Sequence, residues 1–148
     1  MVDLNIPEQN IEIKSINSKN YIFDLIRKKH LVLTPEEWVR QNLVSYFIND
    51  LNYPKGLIKT ESSLKYNNLK KRSDILIYNN DMTHFMIVEC KSYKMKLNKS
   101  HLNQSAMYNK IYRSRYLMVS NGMKHIVCEY DWEKETFKFR SSIPEFSY

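Results

Sequence analysis

Two apolar runs separated by a polar interval dominate the middle of the chain. Ile75-Leu76-Ile77-Tyr78 and His84-Phe85-Met86-Ile87-Val88 are strand-sized and rich in β-branched and aromatic residues. Asn79-Asn80-Asp81 between them is turn chemistry, so the pattern predicts a β-hairpin. In the second run Phe85, Ile87, Glu89 and Lys91 fall on one face and Met86, Val88 and Cys90 on the other. Apolar character on both faces predicts a central, covered strand. Thr34-Pro35-Glu36-Glu37 is a helix start, with Thr at the N-cap, Pro at the first position and Glu37 three residues after the Thr. That helix is expected to run to about Leu51 on a stripe of Val39, Leu43, Tyr46 and Phe47. Ile11 to Leu33 reads as short strands, Leu57 to Tyr66 as a strand, Leu102 to Arg113 as a helix, and Arg115 to Val119 as a buried strand ended by Asn121-Gly122. Lys124 to Tyr130 and Thr136 to Arg140 complete a second hairpin. Nothing in the pattern for the tail, Ser141 to Tyr148, predicts an element. The expectation is one α/β domain with a mixed central sheet flanked by helices. Residues 1–33 form an N-terminal β extension, 34–122 the core, and 123–148 a C-terminal hairpin and tail.

Charged residues interrupt this pattern at informative places. Asp74 opens the first apolar run, Glu89 stands near the end of the second, and Lys91 follows Glu89 at the same-face spacing of two. A hairpin lays the start of one strand beside the end of the other, so Asp74 should approach Glu89 and Lys91. On the helix before them, Glu36 falls in the middle of the apolar stripe and Glu37 toward its edge. A carboxylate on a core-facing stripe is costly unless it is paired or bound to metal, whereas Glu37 suits the helix dipole. Gln104 and Tyr108 stand i, i+4 on one side of the later helix.

Three chemistries fit two carboxylates converging on a lysine: a structural ion pair, proton transfer by coupled carboxylates, and a hard divalent cation held by oxygen ligands. The lysine favours the third. Hydrolysis of a phosphodiester needs charge for the attacking water and for the developing pentacoordinate phosphate, and this accounts for all three side chains together.

Composition narrows the partner. In 148 residues, 23 Lys and Arg stand against 16 Asp and Glu, a formal charge of +7 and a pI near 9.3. Such a balance favours polyanions through counterion release, although a solvated lysine-rich face would give the same totals. Lys70, Lys71 and Arg72 lead into the hairpin and Lys94 and Lys96 follow it, which makes them the candidate nucleic-acid contacts. No apolar run approaches the roughly 20 residues of a membrane span, and Met1 to Asn5 lacks the regions of a signal peptide, so a cytoplasmic location is expected. Cys90 and Cys128 are too few for a disulfide framework and are expected reduced and buried.

Ser73-Asp74, fourteen intervening residues and Glu89-Cys90-Lys91 resemble the PD-(D/E)xK nuclease motif, with Ser73 in place of the proline. Gln104-Ser105-Ala106-Met107-Tyr108 resembles the QxxxY element of its RecB-type branch. With Thr34-Pro35-Glu36-Glu37-Trp38-Val39-Arg40-Gln41 ahead and Val119-Ser120-Asn121-Gly122 behind, the chain is similar to the N-terminal nuclease domain of type I restriction enzyme R subunits. The resemblance implies a restriction-endonuclease-like fold and a Mg²⁺-dependent deoxyribonuclease, with Mn²⁺ as a substitute. It implies that Asp74, Glu89 and the backbone carbonyl of Cys90 hold the metal and that Glu36 completes the site. Lys91 would orient or activate the attacking water, and Gln104 and Tyr108 would contact the substrate backbone or brace Lys91. The motor of an R subunit is not among these residues, so the target would come from a homodimer mate, a separate targeting protein or DNA structure. A non-catalytic nucleic-acid-binding or assembly module that retained the fold is the rival expectation.

Overall fold

The computed structural model of the chain describes residues 1–66 and 69–147, with the side chains of residues 61–73 outside that description. Three short strands come first: β1 (Ile13–Ile16), β2 (Lys19–Asp24) and β3 (Lys29–Val32), an antiparallel sheet in the order β1-β2-β3. Helix α1 (Pro35–Asn49) follows, then β4 (Ile58–Tyr66), β5 (Leu69–Tyr78), β6 (His84–Cys90), helix α2 (Lys99–Tyr112), β7 (Tyr116–Ser120), β8 (His125–Asp131) and β9 (Thr136–Arg140). Strands β4 to β9 form one six-stranded sheet in sequence order. All neighbours are antiparallel except β6 and β7, whose parallel pairing runs from Met86 opposite Tyr116 to Cys90 opposite Ser120. A parallel pair requires a crossover, and α2 supplies it. The predicted mixed sheet is therefore present. The C-terminal hairpin is its β8-β9 edge, continuous with the core.

Both helices start where local chemistry directs. Thr34 Oγ1 accepts the Glu37 N–H at 3.1 Å, with Pro35 at the first position. Asn98 caps α2 three residues ahead of the sequence expectation, because its side chain accepts from the His101 N–H while the His101 ring accepts from the Asn98 N–H. That reciprocal pair is a capping box with His in the usual Glu position.

The helices cover opposite faces of the sheet. Val39, Leu43 and Phe47 of α1 pack with Ile75, Ile77, Met86, Val88, Cys90 and Met118, all buried. Leu102, Ala106 and Tyr112 of α2 pack with Leu76, Ile87, Leu117 and Cys128. Both cysteines are buried and free, and among the described residues no helix is long and apolar enough to cross a membrane.

One face assignment differs from strict alternation. Ile77 pairs with Met86 and Tyr78 with His84, which leaves Phe85 as the extra residue of a bulge. A bulge turns two successive side chains to one side. Phe85 therefore joins Met86 and Val88 against Tyr53, Tyr116 and Phe146 and leaves the Ile87 face.

The chain ends pack back on the core. Tyr53 Oη donates to Pro144 O at 2.6 Å and Phe146 meets the rings of Tyr53 and Phe85. At the other end Asn5 N–H donates to Gly122 O. Gly122 is at φ +83°, and a Cβ there would lie 2.7 Å from Leu4 Cδ2. Only glycine meets both demands.

Candidate active site

The register of the central hairpin positions the acids. Ile75 lies opposite Val88 in the last register pair of β5 and β6 on this side. Beyond that pair the Asp74 side chain reaches the end of β6, where its Oδ2 accepts the Cys90 N–H at 2.7 Å. Glu89 Oε1 is 3.2 Å from Lys91 Nζ, both side chains about one-fifth exposed. Strand β7 fixes the lysine backbone, since the Lys91 N–H donates to Ser120 O at 2.8 Å. Asp74 thus meets the end of β6, but from the middle of β5, which begins at Leu69, five residues before the apolar run that Asp74 opens.

Helix α1 contributes a residue the sequence reading did not select. Arg40 is buried, and its Nη2 donates to Asp74 Oδ1 at 2.7 Å and to Glu36 Oε1 at 3.3 Å while its Nη1 donates to Glu37 Oε1. Gln41 Nε2 donates to the other Glu37 oxygen at 2.9 Å. The signal was present in the spacing: Arg40 is three residues after Glu37 and four after Glu36, on the face where helical ion pairs form.

This network also corrects the helical-wheel reading of the two glutamates. Glu37 is the buried one at 7% exposure, while the Glu36 side chain is 47% exposed. The guanidinium of Arg40 satisfies Glu37 inside the protein, which a wheel built on hydrophobicity does not register. Glu36 nevertheless lines the cleft. With Thr34, Pro35, Glu37, Arg40, Asp74 and Ser92 it borders an open hollow of about 460 Å³ at the N-terminal end of α1.

Electrostatics in the cleft follow from partial burial. Burial, with the Asp74 charge beside it, raises the Glu36 carboxyl above its ordinary value, against the pull of Arg40 and Lys91. Burial pushes the Cys90 thiol far up, with Asp74 adding to it, so Cys90 stays a neutral thiol. Arg40 is held charged more firmly than an ordinary arginine, because the surrounding carboxylates outweigh the opposing effect of burial.

The Glu36 shift has a checkable sign. A carboxyl whose folded pKa is raised loses stability as pH rises from its unfolded value, near 4.5, through the folded one. Glu36→Gln should therefore raise the Tm of the metal-free protein at pH 7 and lose that advantage below pH 4.5. Thermal melts at the two pH values decide it, and an equal Tm difference at both would remove the electrostatic cause.

Among the described residues no three His, Cys, Asp and Glu side chains converge as a metal cage. The donor chemistry still fits Mg²⁺, which prefers one or two carboxylates with water and substrate phosphate over an all-protein cage. Asp74, Glu89 and the Cys90 carbonyl are hard oxygen donors, Asp74 being bonded to the Cys90 N–H. Gln104 is exposed and Tyr108 half-buried on α2. Among the described residues no hydrogen bond joins Gln104 to Lys91. Lys94 and Lys96 are exposed on the segment that follows β6. Lys70, Lys71 and Arg72 have side chains outside the described residues.

A six-stranded mixed sheet with a helix on each face defines a restriction-endonuclease-like α/β domain. A fragment described as an HsdR subunit of a type I restriction enzyme from Vibrio vulnificus YJ016 has a similar structure, with a TM-score of 0.54 at 18% identity. The match covers 76% of this chain and 24% of that one, so the chain spans about a quarter of its neighbour's length. No curated protein matches the sequence. The family model for the type I restriction enzyme R protein N terminus (HSDR_N) matches residues 35–144. The chain belongs to that family.

Proposed function

We propose that the chain is a Mg²⁺-dependent deoxyribonuclease domain of the PD-(D/E)xK type, in its QxxxY branch, hydrolysing phosphodiester bonds of DNA. Family membership supports a nuclease of the restriction-enzyme kind. The observation that carries the finer reading is the Cys90 N–H bond to Asp74, which ties the first acid to the strand end bearing Glu89 and Lys91. Asp74, Glu89 and the Cys90 carbonyl would hold the cation, Mn²⁺ being able to substitute, and Glu36 would complete the ligand set from the helix side. When bound, the cation supplies Lewis-acid charge to the scissile phosphate. Lys91 orients the attacking water, whose oxygen forms a new bond to phosphorus as the bond to the leaving ester oxygen breaks. Gln104 and Tyr108 contact the substrate backbone or brace Lys91, and Lys94 and Lys96, with Lys70, Lys71 and Arg72, attract the phosphates. The protein works in the cytoplasm, where a homodimer mate or a separate targeting protein brings it to its DNA.

The deciding experiment offers supercoiled, linear and single-stranded DNA to the protein with Mg²⁺ or Mn²⁺, beside Glu89→Gln. Metal-dependent cutting lost in the variant is expected. Binding of DNA without cutting on any substrate would replace this reading with a non-catalytic binding module.

A further inference from the structure

We propose that Arg40 is a positioning residue of the acid cluster, holding Asp74 in its ligating orientation and neutralising the carboxylates before a cation arrives. The inference rests on the nuclease reading above and adds a residue to it. Four observations converge. The Arg40 side chain is 6% exposed, so its charge is committed to the interior. Its two terminal nitrogens divide between Glu37 and Asp74, which lie on α1 and β5, so the guanidinium spans the gap between helix and sheet. Asp74 is held from two sides, by Arg40 on Oδ1 and by Cys90 N–H on Oδ2, both at 2.7 Å, which leaves its carboxylate one orientation. Gln41, fully buried, braces Glu37 from behind.

The chemistry explains why an arginine stands there. Glu36, Glu37 and Asp74 would repel one another if gathered without a cation, and the raised Glu36 carboxyl reflects that repulsion from Asp74 after burial. A rigid, planar fork reaches two acids at once, which a lysine ammonium cannot do in the same geometry. Each carboxylate oxygen has a second lone pair, so Asp74 keeps acceptor capacity for a ligand while bonded to Arg40 and Cys90. Groups that orient metal ligands in this way typically contribute 10–100-fold to metal affinity or activity.

Mn²⁺ titration calorimetry on the full chain tests the inference, with wild type, Asp74→Asn, Arg40→Lys and Arg40→Ala, each first shown folded by circular dichroism. Wild type should bind Mn²⁺ and Asp74→Asn should lose that binding. Folded Arg40→Lys and Arg40→Ala should bind about 10–100-fold more weakly, the lost orientation of Asp74 outweighing, in Arg40→Ala, the removal of a positive charge. A purely structural arginine would lower Tm in these variants and leave the Kd at the wild-type value, and an unchanged Kd in folded Arg40→Lys overturns the proposal. Should Arg40→Ala fail to fold, Arg40→Lys alone decides. Absence of Mn²⁺ binding in wild type is a different failure, since it removes the nuclease reading itself and the positioning role with it.

Discussion

Lys91→Ala is expected to slow cleavage by about 10²–10³-fold, equivalent to about 2.7–4 kcal/mol of transition-state stabilisation, while Mn²⁺ affinity does not weaken. The two effects separate because, among the described residues, the ion pair of Lys91 is with Glu89. Its Nζ lies 3.2 Å from Glu89 Oε1, so its removal leaves Glu89 with more unbalanced negative charge and at least as attractive to a cation. What is lost is the positive group beside the water and the phosphate in the transition state. Glu89→Gln should behave differently, removing an anionic oxygen ligand and with it the metal dependence. Single-turnover cleavage measured across a range of metal concentrations distinguishes them. A Lys91→Ala enzyme restored to wild-type rate by excess metal would reduce the lysine to a partner for Glu89.

Local chemistry made much of the fold readable. The Thr34-Pro35 start, the Asn79 to Asp81 turn and the Asn121-Gly122 turn are each dictated by the conformations those residues prefer, and the structure has an element boundary at all three. Asp74 and Glu89 stood out because a carboxylate in a strand-sized apolar run needs a reason. Features made by distant contacts were less legible. The bulge at Phe85 depends on how β5 meets β6, and alternation within β6 does not reveal it. Tail residues 141–148 carry no periodic signal, yet Pro144 and Phe146 pack on Tyr53 because the α1 side of the sheet leaves aromatic surface to cover.

Arg40 shows the same limit inside the candidate site. Periodicity treats a charged residue as a surface mark, so a buried arginine on α1 looks like an interruption of the stripe. Its meaning depends on Asp74, 34 positions away in sequence. The burial of Glu36 and Glu37 departs from the helical wheel for the same reason: burial of a carboxylate follows its cation, and Arg40 takes Glu37 inside. Gln104 was legible only through the motif, and on α2 it is exposed, as a surface amide is.

Asp24→Ala should destabilise the protein by about 3 kcal/mol, the low end of the range for breaking a buried ion pair, which lowers Tm by roughly 6–12 °C in a chain of this size. Asp24 is fully buried. Its Oδ1 accepts the N–H groups of Ile26 and Arg27, and its Oδ2 accepts from Arg27 Nε at 2.8 Å and from Thr60 Oγ1 at 3.4 Å. One carboxylate thus closes the turn from β2 to β3 and joins the small sheet to β4. Thr60 is the register partner of Ile75, next to Asp74, so this bond anchors the N-terminal sheet beside the strand that bears the candidate site. Burial alone would raise the Asp24 carboxyl, but the hydrogen bonds and charge from Arg27, with the Ile26 N–H, bring it below its ordinary 3.8. A depressed carboxyl stabilises the fold at pH values above the unfolded pKa, and that stability is lost as pH falls through the folded one. The wild-type advantage over Asp24→Ala should accordingly be full at pH 7 and shrink below pH 3.8. Asp24→Asn, which keeps acceptor capacity but no charge, should fall between the two at neutral pH. Urea unfolding of the three proteins at pH 7 and pH 3 measures it, and a wild-type advantage that does not shrink at the lower pH would assign the stability to packing around Asp24 instead of its charge.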